Sequence, residues 1–302
     1  MKTCQCFSFS RLALVMKRDF MENWKTNLYT FLGIFLAFLF VYLVFMADEN
    51  GSYRGFYKDL AGAFAGISSF LLVYSASEIM KNMRTKEQRF SYLMLPATPL
   101  EKFVSRALYV TVGMSVMILL ASLLAEVARW AFMPFFDQVP DGLKVCLWPD
   151  AWGYIGETIS PFQTKVHFIA TEGISPDAWP REERSIFFEI MMGYWITLWG
   201  HSLYVLGGNY FGKYAFFKTI GVIILIAVLV SMGISHIDFH VGPGTFEWRL
   251  DEFIRNNNHW LTEEFVAGVV GFIFFCFTAL NWWLSYKLFT RSQVIQPKFR
   301  LL

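Results

Sequence analysis

Six blocks of the chain are almost free of charge over the length that a bilayer demands. A helix rises about 1.5 Å per residue, so crossing a hydrocarbon core of about 30 Å takes about 20 apolar residues. Leu28–Ala47 is unbroken by charge, and Leu60–Met80 meets Glu78 only near its end. Leu108–Leu124 is closed by Glu126 and Arg129, and Ile186–Phe211 carries Glu189 near its start and His201 inside. Tyr214–Ser235 has Lys218 close to its beginning, and Phe265–Phe289 reaches Lys287 at its end. Charges at helix ends can snorkel to the interface. The pattern predicts six transmembrane helices.

Two further segments show helical signals outside those blocks. Ser10 is placed as an N-cap, and Leu12, Val15, Met16, Phe20 and Trp24 follow at mostly three- and four-residue intervals. Arg11, Lys17, Arg18, Glu22 and Lys25 fall between them. A basic helix with one apolar face lies in the membrane interface. The alternative is an extension of the first span, and the break at Thr26-Asn27 favours a separate amphipathic helix.

The connection between the second and third blocks opens with a basic, helix-compatible stretch, Ile79 to Arg89. Thr98, Pro99 and Glu101 then give a hydroxyl N-cap, proline at the first helical position and glutamate three residues on, the elements of a capping box. The segment therefore reads as a helix–turn–helix elbow. Its charges sit beside Phe90, Leu93, Met94, Leu95 and Phe103, a mixture that suits protein docking. Contact with lipid or with the other spans is the plainer alternative.

Lys and Arg set the orientation, because they accumulate on the cytoplasmic side of short loops. Seventeen of the 26 basic residues fall on the side that holds both termini, the elbow and the turn near Lys213. Both ends are therefore expected in the cytoplasm of an inner (cytoplasmic) membrane protein.

Composition agrees. The chain of 302 residues is 55% hydrophobic and only 17% charged, below the roughly 25% charge of ordinary soluble domains. A net charge of +2 gives no reason to expect nucleic acid as a partner. The first apolar run is too long, and follows too much charged sequence, for a cleaved signal peptide. Cys4, Cys6, Cys146 and Cys276 do not suggest a disulfide framework, and Cys4 and Cys6 read as stray thiols before they read as a metal pair.

This layout resembles the membrane subunit of a type-2 ATP-binding-cassette exporter: an amphipathic N-terminal helix, six spans with cytoplasmic ends, and an elbow between spans two and three. The stretch Leu95-Pro-Ala-Thr-Pro-Leu-Glu-Lys-Phe-Val-Ser-Arg106 is similar to a form met in permeases of Bacteroidetes-type bacteria. The layout covers the whole chain, but only this dozen residues is motif-like. The resemblance implies a coupling elbow, Arg89 through Phe103, that rests on a separate ATPase subunit. Its docking residues would be Arg89, Phe90, Leu93, Met94, Glu101, Lys102 and Phe103. It also implies a homo- or heterodimer of permeases surrounded by membrane lipid, with ATP bound by the partner subunit and no cofactor held here. The external insertion, residues 129–185, is longer than in compact exporters of this type, so substrate identity does not carry over.

Other signals are weaker. Gly207-Gly-Asn-Tyr-Phe-Gly-Lys-Tyr214 approaches a phosphate-binding loop but lacks the hydroxyl after its lysine and lies between two membrane helices. His201 and Asn281 are polar groups at membrane depth, read first as helix-packing residues and second as an intramembrane polar site. Glu78, Glu126 and Glu189 read as solvated span ends. The insertion, rich in Trp, Pro and Gly, reads as a compact cap with a short strand at Thr164–Ala170. His236, His240 and His259 lie among carboxylates, but without a zinc motif they read as solvated. No catalytic constellation is present.

The expected fold is therefore all-α, a polytopic membrane domain with six spans, an interfacial helix and a small extracytoplasmic cap. The expected function is that of a permease subunit exporting a hydrophobic or amphipathic substrate. A non-transporting assembly, sensor or immunity protein that uses the same elbow is the alternative.

Overall fold

The computed structural model describes residues 7–47, 53–83, 85–135, 146–160, 164–168, 181–185, 187–241 and 263–294. They form α1 (Phe9–Glu22), α2 (Trp24–Ala47), α3 (Tyr53–Ser77), α4 (Lys86–Leu93), α5 (Pro99–Leu108), α6 (Met114–Phe132) and α7 (Trp148–Thr158). Two strands follow, β1 (Thr164–Phe168) and β2 (Arg181–Ser185), then α8 (Phe187–Phe211), α9 (Ala215–Val241) and α10 (Glu263–Val294).

Among the described residues, five helices are long and apolar enough to cross a membrane: Trp24–Ala47, Lys58–Met83, Pro99–Phe135, Ala215–Gly233 and Phe265–Arg291. The fourth expected span is present as the 25-residue helix α8 but is not one of these five. Its Tyr, Trp, Gly and His residues dilute the apolar run.

The all-α class holds, and the short strand expected in the insertion is half of a small ribbon. β1 and β2 pair antiparallel, with Thr164 opposite Ser185 and Phe168 opposite Arg181. The expected strand is present over Thr164–Phe168, and residues 169–170 lie outside the described residues.

The chain divides into two compact units, the first made of residues 1–158, 201–216 and 281–302, the second of 159–200 and 217–280. The insertion is therefore divided: α7 belongs to the first unit and the ribbon to the second.

In the first unit the core forms where α2, α3 and α6 meet. Ile34, Phe38, Tyr42 and Met46 line one side of α2 at helical spacing, and Leu60 and Phe64 answer from α3. Met114, Ile118, Ala121 and Ala125 complete the cluster from α6. The two alanines keep the α6 surface low, which lets helices approach closely. Phe64 sits edge-on to Phe38 at 4.7 Å and to Tyr42 at 5.4 Å, the favoured aromatic geometry.

Helices α5 and α6 are joined by a wide π turn, Tyr109–Gly113, rather than by a break. Such turns leave backbone groups poorly matched, and here Ser75 Oγ donates to the Val110 carbonyl at 2.8 Å. Helix α1 begins at Phe9 with Ser8 at its N-cap, two residues before the expected start. It ends at Asn23, ahead of the anticipated Thr26-Asn27 break.

In the second unit, Trp195 packs edge-on against Phe275 at 4.8 Å, and Trp199 tilts against Phe274 at 5.1 Å. Gly271 admits Trp195: a Cβ there would lie 3.3 Å from the indole.

Candidate functional site

The elbow folds as its local signals require. The Thr85 hydroxyl caps α4 by accepting from the Gln88 N–H at 3.2 Å. Thr98 accepts from the Glu101 N–H at 3.2 Å while the Glu101 carboxylate accepts from the Thr98 N–H at 2.8 Å, which completes the capping box at the head of α5. The two short helices are then locked reciprocally. The Tyr92 hydroxyl donates to the Lys102 carbonyl at 2.9 Å, and Lys102 Nζ donates to the Leu93 carbonyl at 2.9 Å. Burial pushes the Tyr92 phenol far above its ordinary pKa, so it acts there as a neutral donor.

Seven residues were expected to form one exposed docking face, but they divide into two groups. Phe90 and Met94 are exposed at 68% and 85%, with Arg89 and Leu93 half-buried beside them. Glu101, Lys102 and Phe103 are buried, at 0%, 4% and 6% exposure. For Glu101 the reason is α1, which packs directly on α5. Glu101 accepts from the Ser8 N–H at 2.7 Å and from Arg11 Nε at 3.1 Å and NH2 at 2.9 Å. Phe103 turns into a ring cluster with Trp282, Tyr286 and Phe289. These three residues hold the elbow from behind, and its outer face belongs to α4.

A second polar layer lies one turn further along. Arg106, 4% exposed, donates through Nε to the Ile79 carbonyl at 3.0 Å, and its NH1 lies 3.9 Å from Asp19 Oδ2. Asn82 donates to Asp19 Oδ1 at 3.3 Å, and Asn23 donates to Asn82 Oδ1 at 3.3 Å. Burial raises the Asp19 pKa above its ordinary value, and Arg106 opposes that shift. Arg18 extends the layer to α4 through Ser91. Helix α1 is thus tied to α4 and α5 through Arg11, Arg18 and Asp19. Of its expected apolar stripe only Leu12 and Val15 are buried; Met16, Phe20 and Trp24 are exposed.

Glu126 requires a correction. It is not a solvated end but 2% exposed, and it binds Arg129, itself 0% exposed. The pair is bidentate, with Nε to Oε2 at 2.9 Å and NH2 to Oε1 at 2.6 Å. The Leu147 N–H also donates to Glu126 Oε1 at 3.0 Å, and the Trp148 indole donates to Ser122 at 2.9 Å. Together these bonds fasten α7 to α6. The Glu-x-x-Arg spacing was the available signal, since residues three apart share a helix face. Glu78 is half-buried, and the Glu189 side chain falls outside the described residues.

Asn281 Nδ2 donates to Ser202 Oγ at 2.8 Å, a bond from α10 to α8. His201 stacks on Trp282 with centroids 6.3 Å apart. The expected pair is thus brought to the same helix contact, and Asn281 does helix-packing work. The Gly207–Tyr214 segment is the end of α8 and its turn into α9, with Gly212 at φ 65° and Tyr214 at φ 56°. The left-handed Gly212 just past α8 is an ordinary helix stop. Cys4, Cys6 and His259, and the side chains of His236 and His240, lie outside the described residues.

Five helices of membrane-crossing length and apolarity define a multi-pass membrane protein. No family model matches the chain, and neither does any curated protein or solved structure.

Proposed function

We propose that the chain is the permease subunit of an ATP-binding-cassette exporter, with α8 as a sixth span and both termini in the cytoplasm. In this reading α1 lies in the cytoplasmic interface, and residues 129–185 lie on the outer side. A separate ATPase subunit binds ATP and rests on α4. Permeases pair as a homo- or heterodimer, and the substrate is hydrophobic or amphipathic.

The observation that carries the reading is the division of the elbow. A short helix connects two membrane-length helices and presents Phe90 and Met94 outward. Its inner side is fixed by Tyr92 and by the Lys102 contact with Leu93. A rigidly backed, partly apolar projection suits force transfer between subunits, because a push on α4 reaches α5 through the Tyr92 and Lys102 bonds and α1 through Arg18. Exposed apolar side chains beside Arg89 also suit a protein contact better than bulk water.

The test is co-purification from native membranes in mild detergent. A stoichiometric ATPase subunit, lost when Phe90→Ser and Met94→Ser are combined, is the expected result. Recovery alone, or with a partner that is not an ATPase, from membranes in which the ATPase is intact would replace the transport reading with a non-transporting one. A combined change at Glu101, Lys102 and Phe103 would be uninformative because those side chains hold the fold.

A further inference from the structure

A long apolar groove runs between α1–α2 and α5–α6 within the first unit. Its volume, about 760 Å³, falls in the roughly 300–1,000 Å³ range of small-molecule sites. Phe20, Trp24, Leu28, Val112, Val116 and Leu120 form much of its wall. One part of the wall is different, because Asp19, Asn27 and Ser105 also line it. These three residues are 2%, 6% and 0% exposed.

Each of the three carries a buried polar atom with no hydrogen-bond partner among the described residues: Asp19 Oδ2, Asn27 Nδ2 and Ser105 Oγ. Buried polar atoms are nearly always paired, since leaving one unmatched in an apolar setting costs a large part of its hydration. The Asn27 amide is oriented by the Tyr109 hydroxyl, which donates to Oδ1, so Nδ2 is the unmatched end. Asp19 Oδ2 lies 3.9 Å from Arg106 NH1, beyond hydrogen-bond reach. The set amounts to one acceptor, one donor and one hydroxyl capable of either role.

We propose that this groove binds a single-chain amphiphile with an uncharged, hydroxyl-bearing head, the tail along α2 and α6 and the head at Asp19, Asn27 and Ser105. A diol matches the three groups: one hydroxyl donates to the Asp19 carboxylate and accepts from the Asn27 amide, and the second pairs with Ser105. Charge selects against an anionic head. Asp19 is the one charged residue lining the groove, and Arg106 already faces it. The groove needs no ATPase, so the proposal does not rest on the permease reading.

The experiment uses the full chain in phospholipid nanodiscs with a monoacylglycerol carrying a diazirine in its tail. After illumination, adducts are mapped by mass spectrometry. Saturable labelling of peptides covering residues 16–31 and 105–120, displaced by excess unlabelled monoacylglycerol, is expected. Val112→Trp fills the groove from an exposed position and should abolish that labelling, whereas Leu229→Trp on α9 should leave it unchanged. Ser105→Ala and Asn27→Leu should each weaken half-saturation about tenfold, the effect of one lost buried hydrogen bond. Two results would overturn the proposal. One is labelling that rises without saturation and covers residues 222–232 as densely as the groove. The other is equal, saturable labelling by a probe of the same tail with a phosphate head.

Discussion

Gly208 of α8 lies against the backbone of Ser77 so closely that a Cβ on the glycine would sit 2.6 Å from the Ser77 carbonyl oxygen. Real Cβ atoms do not come that near a backbone oxygen, so α8 meets the end of α3 only because position 208 has no side chain. Gly208→Ala should therefore force the helices apart and cost about 1–3 kcal/mol, the usual penalty of overpacking. Gly200→Ala, with open space around its Cβ position, should cost nothing comparable. Thermal unfolding in detergent, followed by tryptophan fluorescence, separates the two.

The hold of α1 on α5 depends on Glu101 more than on Arg11. Without Arg11, Glu101 keeps the Ser8 and Thr98 N–H groups; without Glu101, those two donors and the guanidinium all lose their acceptor. Glu101→Ala should expose the first 22 residues to limited proteolysis far more than Arg11→Ala does. Equal cleavage of both variants would place the anchor elsewhere. Loss of the Thr98 cap alone, in Thr98→Ala, should cost about 1 kcal/mol.

The Glu126–Arg129 pair behaves as a unit. Arg129→Leu leaves a buried carboxylate without its cation and should destabilise by about 3–5 kcal/mol, whereas joining it to Glu126→Leu should recover much of that loss. A double change as damaging as the single one would show that α7 depends on the Leu147 bond to Glu126 rather than on the charge pair.

Asp19 gives a pH signature. Its folded-state pKa is raised above the ordinary 3.8, mainly by burial, while Glu22 adds to the shift and Arg106, Arg18 and Asn82 oppose it. A raised carboxyl favours proton uptake by the folded state, so its ionisation weakens folding at neutral pH. That penalty lifts as pH falls through the raised value and is gone below 3.8. Between pH 8 and 4.5 the wild-type melting midpoint should therefore gain on that of Asp19→Asn. A constant difference across the range would mean that Asp19 does not titrate there.

The local part of this architecture was legible from residue order alone. Thr98, Pro99 and Glu101 announced the start of α5 because a capping box is written within four residues. The membrane-length helices were legible because the bilayer imposes one length on every span. The partners of Glu101 were not, since Ser8 and Arg11 lie 93 and 90 residues away and their bonds exist only once α1 has docked. Lys102 and Phe103, which next to Glu101 read as surface, are taken inward by other contacts, Lys102 by the Leu93 carbonyl and Phe103 by the rings of α10. Glu126 was misplaced for a similar reason: proximity to a span end suggests water, but α7 returns to cover it. Both carboxylates accept a hydrogen bond from a distant backbone N–H, Glu101 from Ser8 and Glu126 from Leu147, which residue order does not show.

The wide turn at Tyr109–Gly113 has a consequence for the whole 37-residue helix. Its buried positions run Arg106, Val110, Met114, Ile118, three successive steps of four. In a regular helix each such step overshoots a full turn by about 40°, so the face would wander by about 120° before Ile118. One wide turn absorbs nearly all of that excess. The helix therefore keeps a single straight seam from Arg106 to the alanine-lined core, and the turn acts as its phase correction. Closing that turn to regular pitch with every residue kept would rotate α6 by about 100° against α5, whereas removing one residue would let the helix run regular with its two halves still in step.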